Sequence, residues 1–387
     1  MKISFLAVLA LMASMPASAG ERSLTPCPDT QALKLGFNGE VLRAWYLLLD
    51  ARSPAEREDD RKAGRLKGPV IVFFQGHAQR PSDAYPFTSK LALGCRSGVV
   101  VVPVSDTPYG EDSRWRGDRG KEAVLMEVIR HALKVGGIRI AGYSPLGAGE
   151  IGAPVIEDDR SPGCSEYPIP ADLAAVGWSH GGILARRFVH AYPGSVVSLG
   201  QVCPAGFERR GPLALTGRFL LESMRISTRG TGHTRDKLRS AWGFTRGFVG
   251  DFARSVFDAV VHVHPAKMCR TGRDIGDCSL YCNSNSFGIA HVRRVAVIFG
   301  ADDSCMSPER ILAEDPARDL PDETVSRFWE RYYPDALRAG ADLCLEVLPG
   351  THLAPVTHSD LYADTLLGHL GEKTWSLKKE GKGAGGS

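Results

Sequence analysis

Residues 173–189 constrain this chain more than any other stretch. Leu173-Ala174-Ala175-Val176 is an unbroken apolar run, the composition of a strand buried on both faces. It passes into Gly177-Trp178-Ser179-His180-Gly181-Gly182 and then into Ile183-Leu184-Ala185-Arg186-Arg187-Phe188-Val189, which reads as a helix. A strand turning sharply into a helix with a serine at the apex is the setting of a nucleophile elbow. Gly177 and Gly181 flank the turn because a Cβ there collides with the adjoining strand or helix, while the serine backbone itself is strained. The helix that follows directs its free amides at any charge developing beside Ser179. With 43 glycines in 387 residues, the five-residue pattern arises by chance about 0.3 times. Its weight therefore comes from the flanking elements and from partners elsewhere in the chain.

Apolar runs at 69–74 and 98–104 have the same doubly buried character, and further strands are expected at 41–49, 173–178, 196–203, 295–299 and 343–348. Val124, Leu125, Val128, Ile129 and Leu133 form a helical stripe over 122–135, and helices are expected over 323–336 and 359–370. The charged stretch 57–67 reads as an exposed loop, and the Gly- and Pro-rich stretch 140–170 as a long surface loop. Strands alternating with helices imply an α/β architecture: a mainly parallel sheet with helices on both faces. Ligands in such sheets bind at the carboxyl ends of the strands.

The interval 207–290 breaks this rhythm and reads as a helical cap inserted between late strands, since so long a structureless loop is uncommon. Phe244, Phe248 and Phe252 share one helical face within it. Such a stripe is more often a cap's own core than a substrate groove. The domain plan is thus a signal peptide over 1–19, a core over 20–206 and 291–372, the cap over 207–290, and a basic, Gly-rich tail over 373–387.

Lys2, the apolar run 3–12 and Ala17-Ser18-Ala19 have the pattern of an export signal cleaved before Gly20, giving a secreted or periplasmic protein. No later segment is apolar and long enough to be an integral membrane segment. The formal charge of +3 gives no reason to expect nucleic acid as a partner. In an exported protein the nine cysteines favour disulfides. Cys269, Cys278 and Cys282 are close enough to close a small loop, and Cys305 with Cys344 is a second candidate pair. His262, His264 and Cys269 raise a metal site, but no fourth ligand has a recognisable spacing, so no metal is expected.

Three further turns follow expected strands. Phe74-Gln75-Gly76-His77 ends an early one. Gly300-Ala301-Asp302-Asp303 follows the strand at 295–299, and Leu348-Pro349-Gly350-Thr351-His352 follows the last strand. An imidazole acting as base needs a carboxylate behind it, and its ordinary pKa near 6.5 suits both taking and returning a proton. His358 competes with His352 but lies just ahead of the final helix, at the surface. His131, His190, His233, His291 and His369 read as structural or solvated.

Together the elbow and these turns, in this order, resemble the α/β-hydrolase superfamily over residues 41–370. The resemblance implies the α/β-hydrolase fold and a triad that runs serine, acid, histidine. Ser179 then stands as nucleophile and His352 as base. Asp303 fits the G-x-x-D spacing of the acid turn, with Asp302 as the alternative acid. The family takes one oxyanion-hole amide from the residue after the nucleophile, here His180, and another from the early turn, here His77 beside Gly76. Each such donor is worth roughly 2.7–4 kcal/mol of barrier. Gln75 stands where the family usually has histidine.

The expected activity is therefore an exported serine esterase or lipase-like hydrolase that acts on a small-molecule or lipid-like ester and needs no cofactor. A peptidase or amidase on the same fold, and a non-catalytic hydrolase-like binding protein, are the alternatives. Oligomeric state is not legible at this level.

Overall fold

The structure is a computed structural model that describes residues 29–37, 40–76, 84–103, 118–143, 155–156, 168–207, 287–313 and 320–372. The expected export signal, the tail and nearly all of the expected cap lie outside the described residues, as do Cys269, Cys278, Cys282, His262 and His264.

The strands are β1 (Gln31–Phe37), β2 (Glu40–Asp50), β3 (Val70–Phe74), β4 (Val99–Pro103), β5 (Ile138–Ile140), β6 (Val155–Ile156), β7 (Ile169–Ala171), β8 (Leu173–Trp178), β9 (Val196–Val202), β10 (Arg294–Gly300) and β11 (Asp342–Leu348). Among the described residues the helices are α1 (Pro54–Ala63), α2 (Tyr85–Gly94), α3 (Asp118–Val135), α4 (His180–Ala191), α5 (Pro308–Leu312), α6 (Asp322–Tyr332), α7 (Pro334–Arg338), α8 (Ala354–Thr357) and α9 (Ser359–His369).

Nine strands form one sheet in the order β11-β10-β9-β8-β3-β4-β2-β1-β6, and β5 pairs with β7 separately. The six strands from β11 to β4 run parallel to their neighbours, and β2 is antiparallel to both β4 and β1. From β3 the chain steps outward to β4, then crosses back over β3 to β8. That reversal opens a crevice at the carboxyl ends of β3 and β8, where ligands of such sheets bind.

The sheet is buried on both faces because alternate residues of each apolar run feed opposite layers. On one face Val70, Val72 and Phe74 of β3 and Val295, Val297 and Phe299 of β10 pack with α3, α4, α6 and α7. On the other, Ile71 and Phe73 of β3, Ala174, Val176 and Trp178 of β8 and Ala296 and Ile298 of β10 pack with α2 and α9. Each large apolar side chain buried this way contributes about 1.5–3 kcal/mol. A core of this size can hold a strained turn in place at its rim.

Three expectations are corrected. The charged stretch over 57–67 is largely helical: α1 spans Pro54–Ala63. Ser53 and Glu56 form a reciprocal capping box at its start, and Arg52 bonds both Asp50 and Asp60. Asp60 is the one buried residue of α1, so the helix has no apolar stripe to read. The single helix expected over 323–336 is two, α6 and α7, because Pro334 has no amide with which to continue α6. The Cys305–Cys344 disulfide is not formed. Cys344 carries a free thiol on edge strand β11, whereas Cys305 is buried at the carboxyl end of the sheet.

Candidate active site

The elbow forms where β8 runs into α4. Ser179 sits between them at φ 55° and ψ −123°, a left-handed conformation that costs a side-chain-bearing residue about 1–3 kcal/mol. Backbone bonds over-determine it. Its N–H donates to the Val202 carbonyl at 3.2 Å, and its carbonyl accepts from Gly182 and Ala205, each at 2.9 Å. The two expected glycines are sterically required. A Cβ on Gly177 would lie 2.1 Å from the Gly181 carbonyl oxygen, and one on Gly181 would lie 1.9 Å from that of Phe74. The start of α4 is thereby pressed against the end of β3, beside buried Gln75 and Gly76. His180 is the first residue of α4, in the position where an amide faces outward from a helix N-terminus. His77 lies outside the described residues.

Asp303 follows β10 and His352 follows β11, so adjacent parallel strands bring them together across 49 residues of chain. His352 Nδ1 and Asp303 Oδ2 are 2.8 Å apart. The other carboxylate oxygen, Oδ1, accepts from the backbone N–H groups of Cys305 at 2.8 Å and Met306 at 2.7 Å. A carboxylate held this way accepts only, so the Nδ1 proton is fixed on the side facing Asp303 and the neutral ring turns the lone pair of Nε2 away from it. Ser179, Asp303 and His352 are 3%, 2% and 1% exposed, which keeps water from competing for these bonds.

The acid turn and the histidine turn are also joined through the backbone. Ala301 N–H donates to the Leu348 carbonyl at 2.8 Å, and Asp302 N–H to the Gly350 carbonyl at 2.9 Å. Those bonds settle which acid faces the ring: Asp303 points inward and is buried, while Asp302 is exposed. His358 is exposed at the carboxyl end of α8, where its Nδ1 bonds Thr357 Oγ1.

Two residues here were not singled out from the sequence. Trp178 donates its indole N–H to the His352 carbonyl at 3.0 Å, linking the residue before Ser179 to the histidine turn. Cys203, at the end of β9, has φ 44°, and its sulfur lies 3.9 Å from the Thr351 carbonyl. Of the three non-glycine residues with positive φ among those described, two stand at this rim. A left-handed cysteine has no sequence signature. The Cys305 sulfur lies within 4.8 Å of ligand atoms of Asp303 and His352, a donor set that could in principle hold a soft ion. Within this set the other carboxylate oxygen of Asp303 is already taken by two backbone N–H groups.

The eight strands of the main sheet other than β6, in chain order, lie across it as first, second, fourth, third, fifth, sixth, seventh and eighth, with only the second reversed. That order, with a strand–serine–helix turn after the fifth and an acid and a histidine after the last two, defines an α/β-hydrolase fold.

No known family model matches the chain, and no curated protein does. Solved structures do. A probable hydrolytic enzyme of Pseudomonas aeruginosa PAO1 is similar at 14% identity and a TM-score of 0.45, over 92% of this chain and 99% of that one. A peroxisomal α/β-hydrolase of Saccharomyces cerevisiae is similar at 15% identity and 0.48, over 92% and 89%. A thermophilic esterase of Thermogutta terrifontis is similar at 13% and 0.44, over 88% and 98%. These likenesses are too loose to carry functional weight, and the fold class stands on the strand order.

Proposed function

We propose that this protein is an exported serine hydrolase that cleaves carboxylic esters through an acyl-enzyme. Ser179 Oγ attacks the carbonyl carbon while His352 Nε2 takes its proton. Asp303 orients the ring and stabilises the imidazolium that forms. The tetrahedral oxyanion is held by the His180 amide and a second donor from the turn after β3, with His77 as the residue in that position. His352 returns the proton to the leaving alcohol, and water then releases the acyl group by the same steps in reverse order. Esters are the substrate class that asks least of this machinery, because an alcohol leaves more readily than an amine. The export-signal pattern at 1–19 supports a site of action outside the cytoplasm.

The observation that carries this reading is the buried Asp303–His352 pair at 2.8 Å on a turn bonded to Trp178, the residue before a serine held in a strained elbow. The test is labelling by a fluorophosphonate probe, run beside a panel of acyl esters graded by chain length and matched amides. Wild type should label and turn over esters, and Ser179→Ala should lose labelling and at least about 10³-fold in kcat. Equal labelling of Ser179→Ala and wild type would overturn the assignment. Preference for the amides would make the enzyme an amidase. Amino-terminal sequencing of the exported protein should begin at Gly20.

A further inference from the structure

Away from the elbow, the outer edge of the sheet carries a second group of metal-ligating side chains. In β11 alternate residues part to opposite faces. Leu343, Leu345 and Val347 pack with the α6–α7 layer, whereas Leu348 packs with the α9 layer. Cys344 and Glu346 share the face of Leu348 and so look toward α9. That helix lies on β9 and β10: a Cβ on Gly200 would meet Leu366 Cδ1 at 2.9 Å. His369, in its last turn, reaches over β11, with Nε2 2.6 Å from Glu346 Oε1. Ligand atoms of Cys344, Glu346 and His369 all lie within 4.8 Å of one another. All three residues are partly exposed, so an ion can reach them from solvent.

We propose that Cys344, Glu346 and His369 bind a borderline-soft divalent cation of the zinc class. One thiolate, one imidazole and one carboxylate are three of the four ligands such an ion takes, with water completing the tetrahedron. In tetrahedral zinc the ligand atoms stand about 3.3–3.6 Å apart. Glu346 and His369 therefore part by under about 1 Å, an adjustment within side-chain torsions, as the ion takes the Nε2 lone pair and the Glu346 oxygen. The proton they shared passes to solvent, and the neutral ring carries its one N–H at Nδ1. A metal–sulfur bond forms at Cys344, its S–H bond breaks, and the proton passes to solvent. Burial first, and the carboxylates of Glu346 and Asp342 after it, disfavour a bare thiolate here; a dication among them reverses the carboxylates' share. The ion clips the last strand to the last helix, and the His352 turn lies between those two elements. Its chemistry is separate from that of Ser179.

The test is titration of the purified full-length protein with cobalt(II) alone and with zinc(II) alone. Wild type should show a near-ultraviolet sulfur-to-cobalt charge-transfer band that saturates at one equivalent and is abolished by zinc, and zinc should raise its melting temperature. Cys344→Ser should lose the band. Glu346→Gln and His369→Ala should weaken binding by at least the roughly 10–100-fold that losing an outer-shell partner costs a metal site. All three substitutions are at partly exposed positions, and melting without metal checks that each variant is folded. Absence of the band in wild type, or its persistence in Cys344→Ser from another cysteine of the chain, would overturn the site. Fluorophosphonate labelling is unaffected by either outcome, so this proposal and the hydrolase reading fail separately.

Discussion

The Trp178 indole N–H donates to the backbone carbonyl of His352 at 3.0 Å, across 174 residues of chain. The bond connects the strand that leads into Ser179 to the turn that carries His352, and its donor is among the largest fully buried side chains. In the proposed mechanism Trp178 touches no reacting atom and acts as a positioning residue. Trp178→Phe keeps an aromatic ring but leaves the buried His352 carbonyl without this donor, a loss of about 1–3 kcal/mol of stability. The turn then holds His352 less firmly. We expect kcat to fall with KM little changed, and melting and ester kinetics on the same sample to separate that effect from simple unfolding.

Ser179 is strained so that its hydroxyl can stand clear of the sheet. Glycine adopts φ 55° without that strain. Ser179→Gly should therefore be more stable than Ser179→Ala, by about 1–3 kcal/mol, while both are inactive. Denaturant unfolding measures the difference. Equal stabilities would mean that the turn stores no strain.

The choice between neighbouring acids is open to a direct experiment. Asp303→Asn keeps the shape but offers the ring an amide that can impose the wrong tautomer, with an expected loss of about 10⁴-fold in kcat. Asp302→Asn, at an exposed position, should stay within about twofold of wild type. Ester kinetics on the two variants decide it, and a larger loss from Asp302→Asn would reverse the assignment.

Glu372 gives a pH prediction. Burial pushes its carboxyl up to about 7 despite Arg96 and Arg294 nearby. Its folded pKa lies above the unfolded value, so its contribution is fully present below the unfolded pKa of 4.5 and is lost as pH rises through 7. Wild type should lose about 1–3 kcal/mol between those limits from this group. Glu372→Gln, which stays neutral, should flatten that part of the profile when melting is followed against pH.

Much of the strand framework was legible because it is written locally. The runs at β3, β4, β8 and β10 are largely continuous apolar stretches, the pattern of strands buried on both faces, whereas β9 is interrupted by Ser198 and Gln201 and edge strand β11 by Glu346. Helix α1 escaped because it is charged all round. Its local signals are at its ends: Ser53 followed three residues later by Glu56, which is the capping box the structure contains, Pro54 in the first turn, and Gly64 as a left-handed cap. The short strands β5 and β7 hide in a Gly- and Pro-rich stretch, and β5 has only three residues, one of them exposed.

The elbow motif is local, with Gly177, Ser179 and Gly181 inside five residues, and the clash that bars a Cβ at Gly177 is with Gly181 and Gly182 of the same turn; the clash at Gly181 is with Phe74 at the end of β3, a tertiary contact. Everything that depends on strand order is tertiary. Asp302 and Asp303 are indistinguishable by composition, and backbone bonds from Ala301 and Asp302 to the neighbouring turn decide which one meets His352. Cys305 and Cys344 are separated because one lies in a buried turn at the carboxyl end of the sheet and the other looks toward α9 from the middle of the last strand. His369 finds Glu346 because a helix after the last strand folds back over it. Local periodicity encodes how deeply each segment is buried. Which side chains then share a site depends on the order in which parallel strands are laid side by side, and no short stretch of chain contains that order.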